Sequence, residues 1–142
     1  MSCGYLATKL DIEMLLKQGV NIASVGIPDE ELPKKTGLEV ARELCGRPLL
    51  RYLRRQDVGR YLYGDSNRHC TTPTPYASED LIGFLNLPDP ASRRTHFLLL
   101  DAAKVDEIRG PRYIAWGGGI EYVLPEGFPQ EALVNPWGIE IR

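Results

Sequence analysis

The order of helix-forming and strand-forming segments predicts an α+β fold for this chain. Residues 1–46 carry two helix-capping patterns, whereas later segments are short runs of aromatic, leucine and β-branched residues that favour strands. Helices and strands do not alternate regularly, which argues against the parallel sheet of an α/β protein. A chain of 142 residues has the length of one domain and can bury a sizeable core.

Two helices are predicted in the N-terminal third. Asp11 is a residue type that caps helices, and the helix that it would begin runs to Lys17. Thr36 and Glu39 have the three-residue spacing of a capping box, and Gly46 ends the helix that follows them. We therefore expect this part of the chain to be a helical N-terminal segment or subdomain.

Strands dominate the rest of the chain. Strand-forming runs predict strands over 49–54, 59–63, 96–100, 112–116, 120–124 and 138–141. The run 64–67 has the composition of a turn. Thr71 and Thr72 are expected to be extended, because threonine favours strands and the residue before a proline avoids the helical region. Ser78 has the side chain of a helix cap, so a short helix is predicted after it.

The charge distribution argues against one class of function and favours another. The net charge is −2, so the molecule as a whole is not an electrostatic binder of nucleic acid. The charge is uneven, however, because residues 47–112 hold eleven basic and eight acidic side chains. An anionic ligand is therefore expected to bind in this middle part of the chain.

Cysteine usage and hydropathy give no sign of a metal site, a disulfide framework or a membrane anchor. Cys3, Cys45 and Cys70 lack the close spacing of a zinc motif, and we predict no metal cofactor. No apolar run is long enough to cross a bilayer, and the first residues lack the features of a signal peptide. We expect the chain to act in a cytoplasm, or to be exported by machinery that this segment does not encode.

A carboxylate that follows three glycines is the most informative local feature. The glycines 117–119 lead into the strand-forming residues Ile120 and Tyr122, with Glu121 between them. Because side chains alternate along a strand, Glu121 faces away from these two apolar neighbours. In a cleft, such a carboxylate stabilises a developing cation. The alternative is a surface glutamate on a half-buried strand.

A cluster of arginines supplies a candidate anion site. Arg51 lies between Leu50 and Tyr52 in the predicted strand 49–54, so its guanidinium is flanked by apolar residues. A guanidinium held in this way binds phosphate or pyrophosphate through two hydrogen bonds. For Arg54 and Arg55, a solvated basic face is the simpler interpretation.

Threonine and tyrosine side chains supply further candidates. Thr71 and Thr72 carry stiff hydroxyls that suit the orientation of a carboxylate or a sugar, although strand threonines commonly have no other role. Tyr52 and Tyr76 belong to a set of tyrosines suited to stacking on an aromatic ligand. The three glycines are not a dinucleotide fingerprint, because they open a strand rather than a helix.

The order of these features resembles the ADP-ribosyltransferase superfamily. Arg51, the Thr71-Thr72-Pro73 run and the segment 117–122 occur in the family's order, and the similarity covers roughly residues 47–134. Among members of this superfamily, the chain resembles the NAD-consuming toxin domains at the C-termini of bacterial polymorphic toxins. The resemblance implies a split pair of small antiparallel sheets with an NAD cleft between them, formed by residues 47–142.

The resemblance also implies roles for the candidate residues. Arg51 would anchor NAD, Thr71 or Thr72 would supply the family's hydroxyl, and Glu121 would be the catalytic glutamate. Tyr52 or Tyr76 would stack on nicotinamide. Cleavage of the nicotinamide–ribose bond passes through an oxocarbenium-like state, which one carboxylate can stabilise.

The same resemblance defines the expected function and its alternatives. It implies a secreted or delivered toxin that transfers ADP-ribose from NAD to a macromolecular acceptor in the cytoplasm of a target cell, and that has a cognate immunity protein. Gly119 departs from the family, because many arginine-modifying members have glutamate or glutamine there. NAD hydrolysis is therefore one alternative. A ribonuclease that uses His69 or His96, and a non-catalytic interaction module, are the others.

Overall fold

The described residues form a mixed α+β fold, as the sequence predicts. A computed structural model describes residues 3–85, 87, 94–114, 118–136 and 138–141. Over these ranges the helices are α1 (Cys3–Lys17), α2 (Gly37–Glu43) and α3 (Leu81–Leu85). The strands are β1 (Lys34–Lys35), β2 (Leu49–Arg54), β3 (Gly64–Asp65), β4 (His69–Thr71), β5 (Arg94–Leu100), β6 (Ile108–Tyr113), β7 (Ile120–Leu124), β8 (Phe128–Pro129) and β9 (Ile139–Glu140).

The strands form three small antiparallel sheets. The largest has the order β1-β6-β7-β4, the second has the order β2-β5-β9, and β3 pairs with β8. The two larger sheets meet where Thr72, just after β4, exchanges two backbone hydrogen bonds with Leu50 of β2, at 2.7 and 3.0 Å. From this junction β4 continues along β7 and β2 continues along β5, and a cleft lies between the two sheets.

Two hydrophobic cores lie against β2, and its neighbouring leucines divide between them. Leu49 belongs to the first core, whereas Leu50 and Tyr52 belong to the second, because successive strand side chains point to opposite faces. The first core combines side chains of α1, α2, β2, β5, β6 and β7: Leu15, Val40, Leu44, Leu49, Leu100, Ile108, Ile120, Tyr122 and Leu124. The second core is smaller and contains Leu50, Tyr52, Tyr76 and Leu81.

The N-terminal segment shares the first core with the rest of the chain. Leu15, Val40 and Leu44 are fully buried in it. The strand β1 pairs with β6, and Glu43 accepts a 2.8 Å hydrogen bond from the Tyr122 hydroxyl. The predicted boundary after residue 46 therefore does not separate two cores. Within the described part of the chain, no helix is both long and apolar enough to cross a membrane.

The predicted first helix is correct in kind but wrong in its start. The helix α1 begins at Cys3, so Asp11 lies inside it rather than at its cap. Asp11 is fully buried, where it forms an ion pair with Arg47 and accepts a 2.6 Å hydrogen bond from the Thr74 hydroxyl. Asp11 therefore forms a buried ion pair with a residue distant in sequence, which local patterns do not reveal.

The capping box of the second helix is confirmed. The Thr36 hydroxyl accepts the backbone N–H of Glu39 at 3.2 Å, and the Glu39 carboxylate accepts the backbone N–H of Thr36. Two reciprocal hydrogen bonds thus fix the start of α2. After the helix, Gly46 has a φ of +80°, as expected for a terminating glycine.

Most predicted strands are present, but the one over 59–63 is wrong. The chain turns there between Gly59 and Gly64, whose φ values are +87° and +84°. Left-handed glycines at both ends suit turns rather than an extended run. The strand β3 instead begins at Gly64, inside the predicted turn 64–67. The strand predicted over 112–116 corresponds to β6, which ends at Tyr113, and 115–117 lie outside the described residues.

Candidate functional site

The cleft between the two larger sheets brings most of the predicted site residues together. Its cavity volume is about 50 Å³, which is below the roughly 300–1,000 Å³ of typical small-molecule sites. Five predicted residues line it: Arg51, Tyr52, Thr71, Thr72 and Glu121. Leu85, Leu87 and Ile114 add apolar surface, and Cys70 and Arg94 are lining residues that the sequence analysis did not identify.

Two arginines in the cleft have unused hydrogen-bond donors. Arg51 on β2 donates one long hydrogen bond of 3.4 Å to the Cys70 carbonyl, and Arg94 on β5 donates one of 2.9 Å to the Tyr52 carbonyl. The Nε atom of each arginine is buried and has no hydrogen-bond partner among the described residues. Buried donors are nearly always paired in proteins, so these two point to a ligand that accepts hydrogen bonds.

The charges of these arginines also favour an anion. Burial lowers the pKa of the Arg94 guanidinium, and the positive charges of Arg51 and Arg54 lower this pKa further. Two guanidiniums that repel each other in a partly apolar cleft are stabilised by a bound anion between them. Phosphate and pyrophosphate fit this arrangement, because each oxygen accepts several N–H donors.

Glu121 lines the cleft, and its carboxylate forms an ion pair with Arg112, which is not among the lining residues. Both side chains are largely buried, with 12% and 9% of their surface exposed. Arg112 donates two hydrogen bonds to the same carboxylate oxygen, Oε1, from Nε at 2.8 Å and from Nη2 at 2.6 Å. The ion pair keeps the Arg112 guanidinium charged, since Glu121 and Asp29 raise its pKa while burial lowers it.

A bulge in β6 places Arg112 beside Glu121. Arg109 is opposite Val123, and Arg112 is opposite Glu121, so three steps along β6 match two steps along β7. In a regular ladder, the residue opposite Glu121 would be Pro111, and Arg112 would point to the other face of the sheet. A strand interrupted by Gly110-Pro111 is the local signal that could have predicted the bulge.

The two threonines line the cleft, but their hydroxyls hydrogen-bond to the backbone. Thr71 is opposite Tyr122 and donates a 2.9 Å hydrogen bond to its carbonyl, on the face of β7 away from Glu121. The Thr72 hydroxyl accepts the backbone N–H of Thr74 at 3.3 Å. Both residues are 2% exposed. These hydroxyls therefore stabilise the local backbone and do not orient the Glu121 side chain.

Cys70 occupies the position expected for the threonine hydroxyl. It is one residue before Thr71, so its side chain lies on the Glu121 face of the sheet, and both residues line the cleft. Burial and the negative charge of Glu121 raise the pKa of the Cys70 thiol to about 11. This thiol is therefore a neutral hydrogen-bond donor at physiological pH and not a nucleophile.

The two tyrosines differ in their access to the cleft. Tyr52 lines it, but its hydroxyl is buried and accepts the backbone N–H of Tyr76 at 2.5 Å. Tyr76 lies in the second core, where its hydroxyl hydrogen-bonds to Thr8 at 2.6 Å and its ring stacks on Phe84 with centroids 5.2 Å apart. Only Tyr52 of this pair is in a position to contact a ligand in the cleft.

Packing explains the glycine that departs from the family pattern. A Cβ atom at position 119 would lie 2.6 Å from the Tyr76 hydroxyl and 2.7 Å from the Phe84 carbonyl. Such distances are too short for non-bonded contacts, so a glutamate or glutamine does not fit here without rearrangement. The Gly119 backbone also donates a 2.9 Å hydrogen bond to the Phe84 carbonyl.

Neither histidine lines the cleft. His69 is 4% exposed, contacts the Asp65 carboxylate at 2.5 Å and lies between the Tyr61 and Phe128 rings. Burial lowers its pKa more than Asp65 raises it, so the imidazole is neutral at physiological pH. His96 hydrogen-bonds to the neighbouring Thr95 hydroxyl. The geometry thus gives no support to a histidine-dependent ribonuclease site in the cleft.

Comparisons with other proteins do not identify the chain. No protein-family model, curated protein or solved structure matches it. The described residues contain no group of three or more His, Cys, Asp or Glu side chains that could hold a metal ion.

Proposed function

We propose that this chain is an NAD-dependent mono-ADP-ribosyltransferase. It would cleave the bond between nicotinamide and ribose and transfer ADP-ribose to a macromolecule. The observation that carries the proposal is the cleft itself, in which Arg51 and Arg94 have unpaired buried donors and Glu121 supplies a carboxylate. The order of Arg51 and Glu121 along the chain and the pair of small antiparallel sheets add support.

The proposed binding mode uses the two arginines for the pyrophosphate of NAD. Their unpaired Nε atoms would donate to its oxygens, and the negative charge would relieve the repulsion between the guanidiniums. Tyr52 and the apolar residues Leu85 and Leu87 would contact the ring of the nicotinamide half. The cleft is small, so we expect the adenosine half to lie at its mouth.

The proposed chemistry needs one carboxylate. The bond between C1′ of the ribose and N1 of nicotinamide breaks, and its electron pair leaves with neutral nicotinamide. Glu121 stabilises the positive charge that develops on the ribose. The acceptor's nucleophile then forms a bond to C1′ and loses its proton to solvent. With water as the acceptor, the products are ADP-ribose, nicotinamide and a proton.

NAD hydrolysis is the second candidate, and Gly119 favours it. The side chain that engages the acceptor in many arginine-modifying members of the family does not fit at this position, because Tyr76 and Phe84 fill the space. A site without an acceptor-binding side chain releases ADP-ribose to water more readily. A toxin that depletes NAD would need no macromolecular acceptor.

The decisive experiment measures nicotinamide release from NAD by the purified chain. We expect release by the wild type and its loss in Glu121→Gln, by about 100-fold or more, because the amide no longer stabilises the cation. Glu126→Gln is the matched control, since Glu126 is exposed and lies just beyond the same strand. Wild type that releases no nicotinamide, with or without cell lysate, refutes both NAD-consuming functions.

Labelled NAD separates transfer from hydrolysis. Incorporation of label into a protein or nucleic acid of a treated lysate would support transfer, whereas free ADP-ribose as the sole product would support hydrolysis. The resemblance extends the proposal to a delivered toxin with a cognate immunity protein. In that case, cytoplasmic expression of the wild type arrests growth and expression of Glu121→Gln does not.

A further inference from the structure

We propose that Arg112 is a positioning residue for Glu121, and that the segment 27–29 completes the site by holding Arg112. This inference rests on the proposed NAD-consuming function. It assigns a role to part of the N-terminal segment, which lies outside the similarity to the ADP-ribosyltransferase superfamily. Three sets of contacts around the Arg112 guanidinium support this inference.

The first set shows that the protein itself uses every nitrogen of this guanidinium. Nε and Nη2 donate to Glu121, Nη1 donates to the Ile27 carbonyl, and Nη2 also lies 3.0 Å from the Asp29 carboxylate. Arg51 and Arg94 differ, because each has an unpaired Nε in the cleft. Every nitrogen of Arg112 thus has a protein partner, and we infer that Arg112 acts on the reaction through Glu121.

The second set explains how Asp29 stays ionised. Arg68 donates to both oxygens of Asp29, with Nη2 at 3.2 Å from Oδ1, and it is the largest cause that lowers the pKa of this carboxyl below its usual value. Arg68, Asp29, Arg112 and Glu121 form a row of alternating charge from the surface to the cleft. Each charge fixes the position of the next one.

The third set of contacts attaches the segment 27–29, which supplies the Ile27 carbonyl and the Asp29 carboxylate, to β6. Ala23 exchanges backbone hydrogen bonds with Pro111 and Tyr113 at 2.9 and 3.0 Å, on either side of Arg112. Arg109 donates to the carbonyls of 29, 30 and 32. The segment is thus attached to β6 on both sides of the bulge that turns Arg112 towards Glu121.

The test compares substitutions at Arg112 with a matched arginine outside this network. Arg112→Gln should lower the kcat of nicotinamide release by up to about 100-fold, because Glu121 loses its two fixed hydrogen bonds. The KM for NAD should stay nearly constant, since the pyrophosphate contacts are elsewhere. Arg112→Lys should be intermediate, because it keeps the charge but not the two-donor geometry. Asp29→Asn should lower kcat by a smaller factor.

Arg55→Gln is the control, because Arg55 is exposed, does not line the cleft and belongs to neither β6 nor the segment 27–29. It should leave kcat unchanged, and thermal unfolding of each variant identifies any loss that comes from misfolding. If Arg112→Gln does not fold, Arg112→Lys and Asp29→Asn carry the test. An active wild type whose Arg112→Lys and Asp29→Asn variants keep full kcat overturns this inference alone. Inactive wild type overturns the proposed function and this inference with it.

Discussion

The unpaired donors of Arg51 and Arg94 give the cleft its preference for an anion. A charge-assisted hydrogen bond contributes about 1.5–3 kcal/mol, which corresponds to roughly a 10- to 100-fold change in binding. We therefore expect Arg51→Ala and Arg94→Ala each to raise the KM for NAD by about 10-fold or more, with a smaller change in kcat. Steady-state kinetics of nicotinamide release provides the measurement.

Arg55→Ala is the matched control for these two substitutions. Arg55 belongs to the same cluster in the sequence, but it is exposed and does not line the cleft. Its removal should leave the KM for NAD unchanged. Equal effects at all three positions would mean that general positive charge, rather than the two unpaired Nε atoms, determines the affinity for NAD.

The Cys70 thiol reports on the charge of Glu121. With a pKa of about 11, roughly one Cys70 thiol in a thousand is ionised at pH 8, against about one in four for an ordinary exposed thiol. In a Cys3→Ser protein, we expect Cys70 to react with iodoacetamide at least about 100-fold more slowly than the exposed Cys45.

The pH dependence of this reaction provides the check. Because only the thiolate reacts, the rate at Cys70 should rise about tenfold for each pH unit up to the pKa near 11. Mass spectrometry of tryptic peptides separates the two thiols. Glu121→Gln removes a negative charge beside Cys70, so its reactivity should increase. A rate that levels off near pH 9 in the wild type would contradict the burial of this thiol near Glu121.

At the scale of elements, the sequence predicted correctly those features that depend on interactions between residues close together in the chain. The capping box of α2 uses two residues three apart, and β2 and β7 have their predicted bounds because each is a continuous run of strand formers. The strand over 59–63 failed because the flanking glycines adopt left-handed conformations that impose turns. Asp11 was misassigned because its partner Arg47 is 36 residues away.

The candidate site likewise contains residues that the sequence could identify and residues that it could not. Arg51 and Glu121 could be found from the sequence, because each is a charged residue between apolar neighbours on a strong strand. Arg112 could not, since its direction depends on a bulge that adds one residue to β6. Cys70 was missed because the register of β4 against β7 decides which side chain of the Cys70–Thr71 pair faces Glu121.

The start of α2 lies close against the backbone of residues 102–105, and substitutions at two glycines test this contact. A Cβ atom at Gly37 would lie 2.1 Å from the Ala102 carbonyl oxygen and 2.2 Å from that of Val105. Because both atoms belong to the backbone, Gly37→Ala should lower the free energy of unfolding by about 2–3 kcal/mol. Urea denaturation measures this change.

Gly83→Ala is the matched control. Gly83 lies inside α3 with no described atom within 4 Å of its Cβ position, and its φ is not left-handed. Alanine there should raise the free energy of unfolding by up to about 1 kcal/mol, because it favours the helix over the unfolded chain. Equal effects at the two positions would show that α2 does not approach the 102–105 backbone this closely.

At the scale of the whole molecule, the cleft depends on how the sheets share their strands. Thr72 joins β4 to β2 at one point, while β4 pairs with β7 in one sheet and β2 pairs with β5 in the other. Glu121 therefore belongs to one sheet, and Arg51 and Arg94 belong to the other. The first core fixes the two sheets relative to each other, since it contains Leu100 of β5 and Tyr122 of β7.

This arrangement predicts that residues 47–142 do not fold alone. Leu15, Val40 and Leu44 are fully buried in the core that joins the sheets. The loss of one such side chain costs about 2–5 kcal/mol, so removing all three reaches the 5–15 kcal/mol that keeps a typical domain folded. The truncated chain should show no cooperative thermal transition and should be digested rapidly by proteases. Co-expression with the peptide 1–46 should restore the cooperative transition and the resistance to proteases, whereas a cooperative transition of 47–142 alone would support two separate domains.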